Sequence, residues 1–317
     1  MEHILITHNV KVTIAIVYAV LIAAMGLLNI VKYFFHKDVE NYLIRARSFL
    51  FIVIFFTLGF TANMYVAFGA TMLISYLCLK EFLSLVPTRR TDRNVLLWAY
   101  LSIPVQFYFI YTRWITMFYL FIPLYMFLIM AIRMVIASNT EGFLKSLAVV
   151  QWGLMTTVYA IGYLALILII PFEYNPIAGG VGLLAFILIF TVLNDFMQMF
   201  CGKAFGKHKI IPKVSPNKTW EGFIGGVIGS TILAALMAPY LTPLTLKQSL
   251  FAGAVLAVAG FFGDVTMSAV KRDMGVKDTS TLIPGHGGIL DRLDSLIFTA
   301  PLFYHFVAYI NTIVIPR

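Results

Sequence analysis

Charged residues are scarce in this 317-residue chain, and their scarcity excludes an ordinary soluble domain. Asp, Glu, Lys and Arg make up 12% of the sequence, whereas soluble domains average about 25%. Hydrophobic residues make up 61%, and the mean hydropathy is +0.91. Long apolar runs recur from end to end, which is typical of several bilayer spans rather than one buried core. No alternating β-barrel pattern is present, so we expect an all-α, polytopic transmembrane helical bundle.

Cysteine is rarer still. Cys78 and Cys201 are too few and too far apart to suggest a disulfide or metal framework, so we expect two small apolar packing residues.

No cleavable signal peptide is predicted, because Val12–Phe35 is long enough to span and no small-residue cleavage site clearly follows it. The net charge of +9 fits either anionic substrates or the basic residues that fix membrane topology. No nucleic-acid partner is expected.

Ten apolar stretches are long enough to be candidate spans, at about 20 residues each. The break between the second and third, Thr61–Tyr65, is short, so we expect about nine or ten spans in all. The stretches are 12–35, 48–63, 65–85, 95–111, 115–133, 147–171, 178–199, 221–240, 249–268 and 289–311.

Basic residues fall on one side of this predicted topology. All but four of the 23 Lys and Arg residues lie in the loops after spans one, three, five, seven and nine. Positive loops stay in the cytoplasm, so the 200–220 and 269–292 loops are predicted to face it, with both termini outside, in a multi-pass protein of the cell (inner) membrane. The four exceptions are Lys11, Arg113, Lys247 and Arg317.

Acidic residues divide the chain into two regions. Ionisable groups at membrane depth are costly, so a cluster of them indicates a functional site. We therefore predict an N-terminal transmembrane region, 1–145, and a catalytic transmembrane region, 146–317. Half of the fourteen acids lie between 195 and 294: Asp195, Glu221, Asp264, Asp273, Asp278, Asp291 and Asp294.

The segment 264–295 combines acids, bases and glycines at spacings that suit phosphate chemistry. One helix face at the end of span nine carries Asp264, Ser268, Lys271 and Arg272. A glycine-rich turn before span ten can leave backbone N–H groups open to an anion, at Gly285, Gly287 and Gly288. One face of span ten carries Asp291, Asp294 and Ser295. Such oxygen ligands suit Mg²⁺ bound with substrate phosphates; a solvated loop with ordinary salt bridges is the alternative.

A second polar group precedes span eight. Donors for a nucleotide or a lipid phosphate are available from Ser215, Asn217, Lys218 and Thr219, and Glu221 follows in the first turn. A Ser/Thr-rich, Pro-containing entry with an acid in the first turn is also a generic helix start. Both interpretations stay open for this segment. The roles of Asp195 and Glu221 are left open.

These motifs resemble those of the phosphatidate cytidylyltransferase (CDP-diacylglycerol synthase) family. The run from Ser268 to Asp294 contains every fixed position of the pattern S-x-x-K-R-x4-K-D-x-S-x2-I-P-x-H-G-G-x2-D-R-x-D, and Ser-Pro-x-Lys-Thr-x-Glu-Gly at 215–222 looks like the second family motif. The resemblance implies that CTP and phosphatidic acid give CDP-diacylglycerol and pyrophosphate, with Mg²⁺ and a monovalent cation such as K⁺ as candidate cofactors.

The resemblance also implies roles for individual residues. The principal metal ligands are Asp264 and Asp291, and Asp294 is a third candidate. The catalytic group comprises these two aspartates with Lys271 and Arg272. Further contacts to substrate are assigned to Ser215, Asn217, Lys218, Thr219, Ser268, Lys277, His286, Gly287, Gly288 and Arg292.

The stretch Asp195-Phe-Met-Gln198-Met199 departs from the family pattern and suggests a divergent subgroup, which leaves the lipid acceptor open. The alternatives are a CTP-dependent enzyme acting on another lipid phosphate, ether or polyprenyl, or a CTP-dependent lipid kinase. From another class, an ion-coupled membrane transporter predicts acids spread through the spans near the midplane. The oligomeric state is open, and a homodimer is one alternative.

Overall fold

Ten apolar helices and one helix of four residues form one bundle in the computed structural model, which describes residues 6–36, 39–86, 93–136 and 141–311 (backbone only at 93 and 94). No strand occurs within those ranges; two isolated β-bridges join Lys209 to Thr219 and Ile283 to Gly287. The helices are α1 (His8–Phe35), α2 (Glu40–Thr61), α3 (Met64–Leu85), α4 (Arg93–Tyr111), α5 (Ile115–Ile136), α6 (Phe143–Leu168), α7 (Gly179–Phe205), α8 (Trp220–Leu241), α9 (Leu246–Asp273), the short α10 (Leu290–Leu293) and α11 (Leu296–Asn311).

Eight of these helices are long and apolar enough to cross a membrane, and α4 and α11 contribute shorter apolar segments. The all-α, polytopic prediction is confirmed, and the short break at Thr61–Tyr65 does separate α2 from α3. The tenth predicted span differs, because α10 and α11 divide it. Of the residues behind the topology prediction, Lys37, Arg89, Arg90 and Arg317 lie outside the described residues.

Side-chain hydrogen bonds cap the starts of α3 and α9, and two helices contain a π-helical turn. Asn63 Oδ1 accepts from Val66 N at the start of α3, and Thr245 and Gln248 form a reciprocal capping box at the start of α9. A π-helical turn, Phe121–Met126, contains Pro123, which has no N–H to donate. A second π turn, Met155–Tyr159, frees a carbonyl that accepts from Ser75 of α3.

The helix α8 shows how the bundle separates lipid from protein. Large exposed side chains recur every fourth residue along one face, at Ile224, Ile228, Ile232 and Leu236. Small buried residues recur on the opposite face, at Gly222, Gly226, Ser230, Ala234 and Ala238. Small residues let helix backbones approach closely, and α8 packs closely along α7 and α9. The exposed stripe is therefore the lipid-facing side.

Buried α6 lies at the centre of the bundle, and its second half, Ala160–Leu168, is buried throughout. Cys78 and Cys201 are both buried free thiols, as predicted for packing residues. Contacts such as Ser75 to Thr157, at 2.7 Å, cross the predicted boundary at residue 145. The division into two regions stays a prediction.

Candidate active site

The loop before α8 meets α9 through an ion pair. Lys218 Nζ lies 2.5 Å from Asp264 Oδ2, and it also donates to Gln198 Oε1 of α7 at 3.3 Å. Ser268, one turn along α9, donates to Asp264 Oδ1 at 3.3 Å. The structure thus brings together three predicted site residues from two separate motifs: Lys218, Asp264 and Ser268.

A second pair joins the end of α9 to α10. Lys271 Nζ lies 2.7 Å from Asp291 Oδ1, and the Asp291 side chain is 1% exposed. The other oxygen, Oδ2, accepts from Thr279 N at 2.8 Å, Thr279 Oγ1 at 2.9 Å and Gly288 N at 3.0 Å. Burial raises the pKa of Asp291, but Lys271 and these backbone donors outweigh burial and leave that pKa below its ordinary value.

Three further carboxylate contacts gather beside Asp264. Ser295 Oγ donates to both oxygens of Asp195, at 3.1 and 3.3 Å, and Ser295 N donates to Asp294 Oδ1 at 2.8 Å. Asp195 and Asp294 each interact electrostatically with Asp264. Within the described ranges, neither Asp195 nor Asp294 has a lysine or arginine nitrogen within 4.0 Å. The cluster therefore contains three carboxyl groups, of which Asp264 is the one paired with a lysine in the described ranges.

The glycine-rich turn differs from its prediction. Gly287 N donates to the Ile283 carbonyl at 3.1 Å, and Gly288 N donates to Asp291. These N–H groups are not left open to an anion, because a carbonyl and a carboxylate of the protein take them. Gly287 has φ of +83°, and a Cβ there would lie 2.9 Å from Asp291 Oδ2, so this position requires glycine.

A predicted substrate contact, Thr219, and a predicted catalytic residue, Arg272, have internal roles. Thr219 is 3% exposed and caps α8 by accepting from Gly222 N at 3.1 Å, which agrees with the generic helix-start alternative. Arg272 bridges two loops by donating to the carbonyls of Val214 and Val276, at 3.3 and 3.1 Å. Four predicted contacts are at least partly exposed around the same end of the bundle: Ser215, Asn217, Lys277 and Arg292.

His286 lies in the same turn, against the N-terminal region. Its ring stacks on Phe49 of α2 with centroids 6.5 Å apart, and Ser48 donates to the neighbouring Pro284 carbonyl at 2.8 Å. Burial, followed by the charges of Arg292 and Arg45, lowers the pKa of His286. These effects favour the neutral form of the imidazole.

Sequence reasoning missed Glu81. This α3 side chain is 7% exposed, and its carboxylate accepts hydrogen bonds from the loop that carries the glycines. A usable signal was present, since Glu81 is the one acid in α3, and an acid inside a predicted span indicates function by default. Nothing in the sequence, however, pairs residue 81 with residues 279–290.

The fold defines a multi-pass membrane protein with a cluster of charged residues at one end of the bundle. The sequence profile of the cytidylyltransferase family matches residues 43–310. The uncharacterized protein YnbB of Escherichia coli (strain K12) is 42% identical over 266 residues, which cover 84% of this chain and 87% of that protein. The phosphatidate cytidylyltransferase of Bacillus subtilis (strain 168) is 33% identical over 272 residues, covering 83% and 94%.

A phosphatidate cytidylyltransferase of Haemophilus influenzae is 43% identical over 136 residues, which cover 41% of this chain and 47% of that protein. The profile spans most of the chain, and the Bacillus relative aligns over nearly its full length. The chain therefore belongs to the cytidylyltransferase family and is a nucleotidyltransferase.

Proposed function

We propose that this protein transfers the cytidylyl group of CTP to phosphatidic acid, giving CDP-diacylglycerol and pyrophosphate. Family membership and the relatives' activity support the reaction. The observation that carries it is the meeting of the two motifs at the Lys218–Asp264 pair, beside the Lys271–Asp291 pair. An ion-coupled transporter is not favoured, because the acids gather at one end of the bundle rather than along a path through it.

In this reaction an oxygen of the lipid phosphate attacks the α-phosphorus of CTP. The new P–O bond forms as the α–β phosphoanhydride bond breaks, and pyrophosphate leaves with the bonding electrons. Both partners are anions, so the protein must orient them and neutralise charge rather than supply a covalent nucleophile. We assign the phosphates to Lys218, Lys271, Lys277 and Arg292, with Ser215 and Asn217 at the edge of the site.

We propose a divalent cation as the cofactor at the carboxylate cluster. Mg²⁺ usually takes one or two protein carboxylates together with waters and substrate phosphates. Within the described residues, no three acidic, histidine or cysteine side chains lie together at metal-binding distance, so waters and substrate phosphates would have to complete the coordination. We propose Asp264 with Asp291 and Asp294 as ligands and add Asp195; bound Mg²⁺ would offset the charge of the transferring phosphoryl group. A monovalent cation such as K⁺ remains part of this proposal.

Location follows from charge. The loop after α7 (206–219) and the loop after α9 (274–289) lie at the same end of the bundle, where Arg272 donates to a carbonyl in each, and positive loops face the cytoplasm. We therefore propose that the site opens to the cytoplasm from the cell (inner) membrane, where CTP is available. The altered Asp195–Met199 stretch lies at this site, so the lipid acceptor is best determined by offering several.

The test is a product assay with purified protein, CTP, Mg²⁺ with and without K⁺, and a panel of lipid phosphates. We expect a CDP-lipid and pyrophosphate by mass spectrometry; CDP with a phosphorylated lipid would instead indicate a lipid kinase.

Asp264→Asn should lower turnover by about 10²-fold or more, because charge stabilisation is the main source of rate. The matched control is Asp273→Asn, an exposed acid on the same helix, which should retain turnover. Wild-type turnover in Asp264→Asn would contradict the mechanism.

A further inference from the structure

Glu81 is a buried acid whose four hydrogen-bond donors all come from one distant loop. The residue lies in the last two turns of α3, and its donors lie about 200 positions later in the chain. Oε1 accepts from Ser280 Oγ at 2.7 Å and from Ile289 N at 3.0 Å. Oε2 accepts from Thr279 Oγ1 at 3.1 Å and from Leu290 N at 2.9 Å.

Hydrogen bonds, rather than a cation, stabilise the Glu81 carboxylate. In the part of the chain that the structure describes, no Lys or Arg nitrogen lies within 4.0 Å of Glu81. Ile289 N and Leu290 N are donors at the start of α10, and helix starts leave such donors unsatisfied. A buried polar group without a partner costs free energy, so Glu81 and the start of α10 satisfy each other.

The loop that Glu81 binds is the loop that holds Asp291. The Thr279 hydroxyl has one proton, which it shares between Glu81 Oε2 at 3.1 Å and Asp291 Oδ2 at 2.9 Å. Gly288 lies between the same groups, and a Cβ there would lie 2.5 Å from Glu81 Oε2. The two carboxylates therefore bind the same segment, Glu81 from α3 and Asp291 from α10.

We propose that Glu81 is a positioning residue for cytidylyl transfer. It holds the segment from Thr279 to Leu290 in the one arrangement that keeps Asp291 beside Lys271 at the site. A displacement of about 1 Å in reacting groups can cost about 10²-fold in rate. This inference rests on the proposed function, because turnover is one of its readouts.

The geometry distinguishes two substitutions. Each carboxylate oxygen faces one hydroxyl and one backbone N–H. In Glu81→Gln the amide NH₂ replaces one oxygen; the facing hydroxyl can turn to accept, but the facing N–H loses its acceptor. Glu81→Ala removes all four bonds and leaves two N–H groups without their acceptor. Glu81→Gln is therefore the informative variant, and Glu81→Ala the severe one.

The experiment measures kcat and KM for CTP, thermal unfolding in detergent, and deuterium exchange of residues 279–290. For Glu81→Gln we expect kcat to fall between about tenfold and 10²-fold with KM for CTP little changed, and exchange of the loop to rise. The matched control is Ser75→Ala, which removes a buried hydrogen bond from the same helix to the Thr157 carbonyl. It should lower the unfolding temperature while kcat per folded protein and loop exchange stay at wild-type values.

A milder variant keeps the test decisive if Glu81→Gln does not fold. Ser280→Ala removes a single donor to Glu81 and should lower kcat a few-fold with the same rise in exchange. Wild-type kcat and exchange in the folded Glu81 or Ser280 variant would overturn the inference, as would an equal loss of kcat in Ser75→Ala. If wild-type protein makes no CDP-lipid, the proposed function fails, whereas loop exchange still tests the role of Glu81.

Discussion

Gly288 shows how little space single residues have at this site. A Cβ at this position would lie 2.5 Å from Glu81 Oε2 and closer still to Thr279 Oγ1. We expect Gly288→Ala to destabilise the protein by about 1–3 kcal/mol, as overpacking typically does, and to lower turnover because both carboxylate contacts must shift. Thermal unfolding and turnover measure the two effects. Gly69→Ala is the control: its Cβ meets nothing within 4 Å, so unchanged activity is expected, and equal losses in both variants would contradict this account.

At the same scale, sequence reasoning identified residue types better than their partners. It placed Asp264, Lys271 and Asp291 in one site from spacing and family pattern. In the structure Asp264 pairs with Lys218, and Lys271 of α9 pairs with Asp291 of α10. It did not identify Glu81, because contacts between residues 81 and 279–290 depend on helix packing rather than local spacing. It also assigned the Gly288 N–H to substrate, since the position of an internal acceptor cannot be read from the chain.

At the scale of helices, the α7–α8 contact connects packing to the site. A Cβ on Gly226 would lie 3.0 Å from Gln198 Cα and closer to its Cγ, and Gln198 Oε1 accepts from Lys218. Gly226→Leu should therefore separate the two helices, displace Lys218 and reduce both the unfolding temperature and the turnover. The free energy of unfolding should fall by at least about 1–3 kcal/mol. The control Ile228→Leu lies on the lipid-facing stripe, 58% exposed. If Gly226→Leu and the wild type had equal stability and activity, the dependence of the site on α7–α8 packing would be refuted.

Helix positions were largely predictable, because apolar length alone defines a span. The two π-helical turns were less predictable from the sequence. Pro123 marks the first of them, but Met155–Tyr159 contains no proline or glycine, and its freed carbonyl finds Ser75 only after α3 and α6 pack together. Such details depend on neighbouring helices rather than on the segment's own sequence.

For the whole molecule, the proposed orientation can be measured by thiol labelling. Cys78 and Cys201 are buried, so a cysteine introduced at the surface can be labelled with little background labelling of these two. Lys209 is exposed in the loop between α7 and α8, and Lys247 is exposed at the start of α9, at the opposite end of α8. Lys209→Cys and Lys247→Cys therefore report the two ends of the bundle, and each retains the residues assigned to the site.

A membrane-impermeant maleimide should react with Lys209→Cys in inverted vesicles and with Lys247→Cys in right-side-out vesicles. The reason is the charge of the loops, since a basic loop is retained on the cytoplasmic side during insertion. Retained turnover shows that each labelled protein is folded. The reverse labelling pattern would place the site on the outer side, away from cytoplasmic CTP, and both the orientation and the source of the nucleotide would then have to be rejected together.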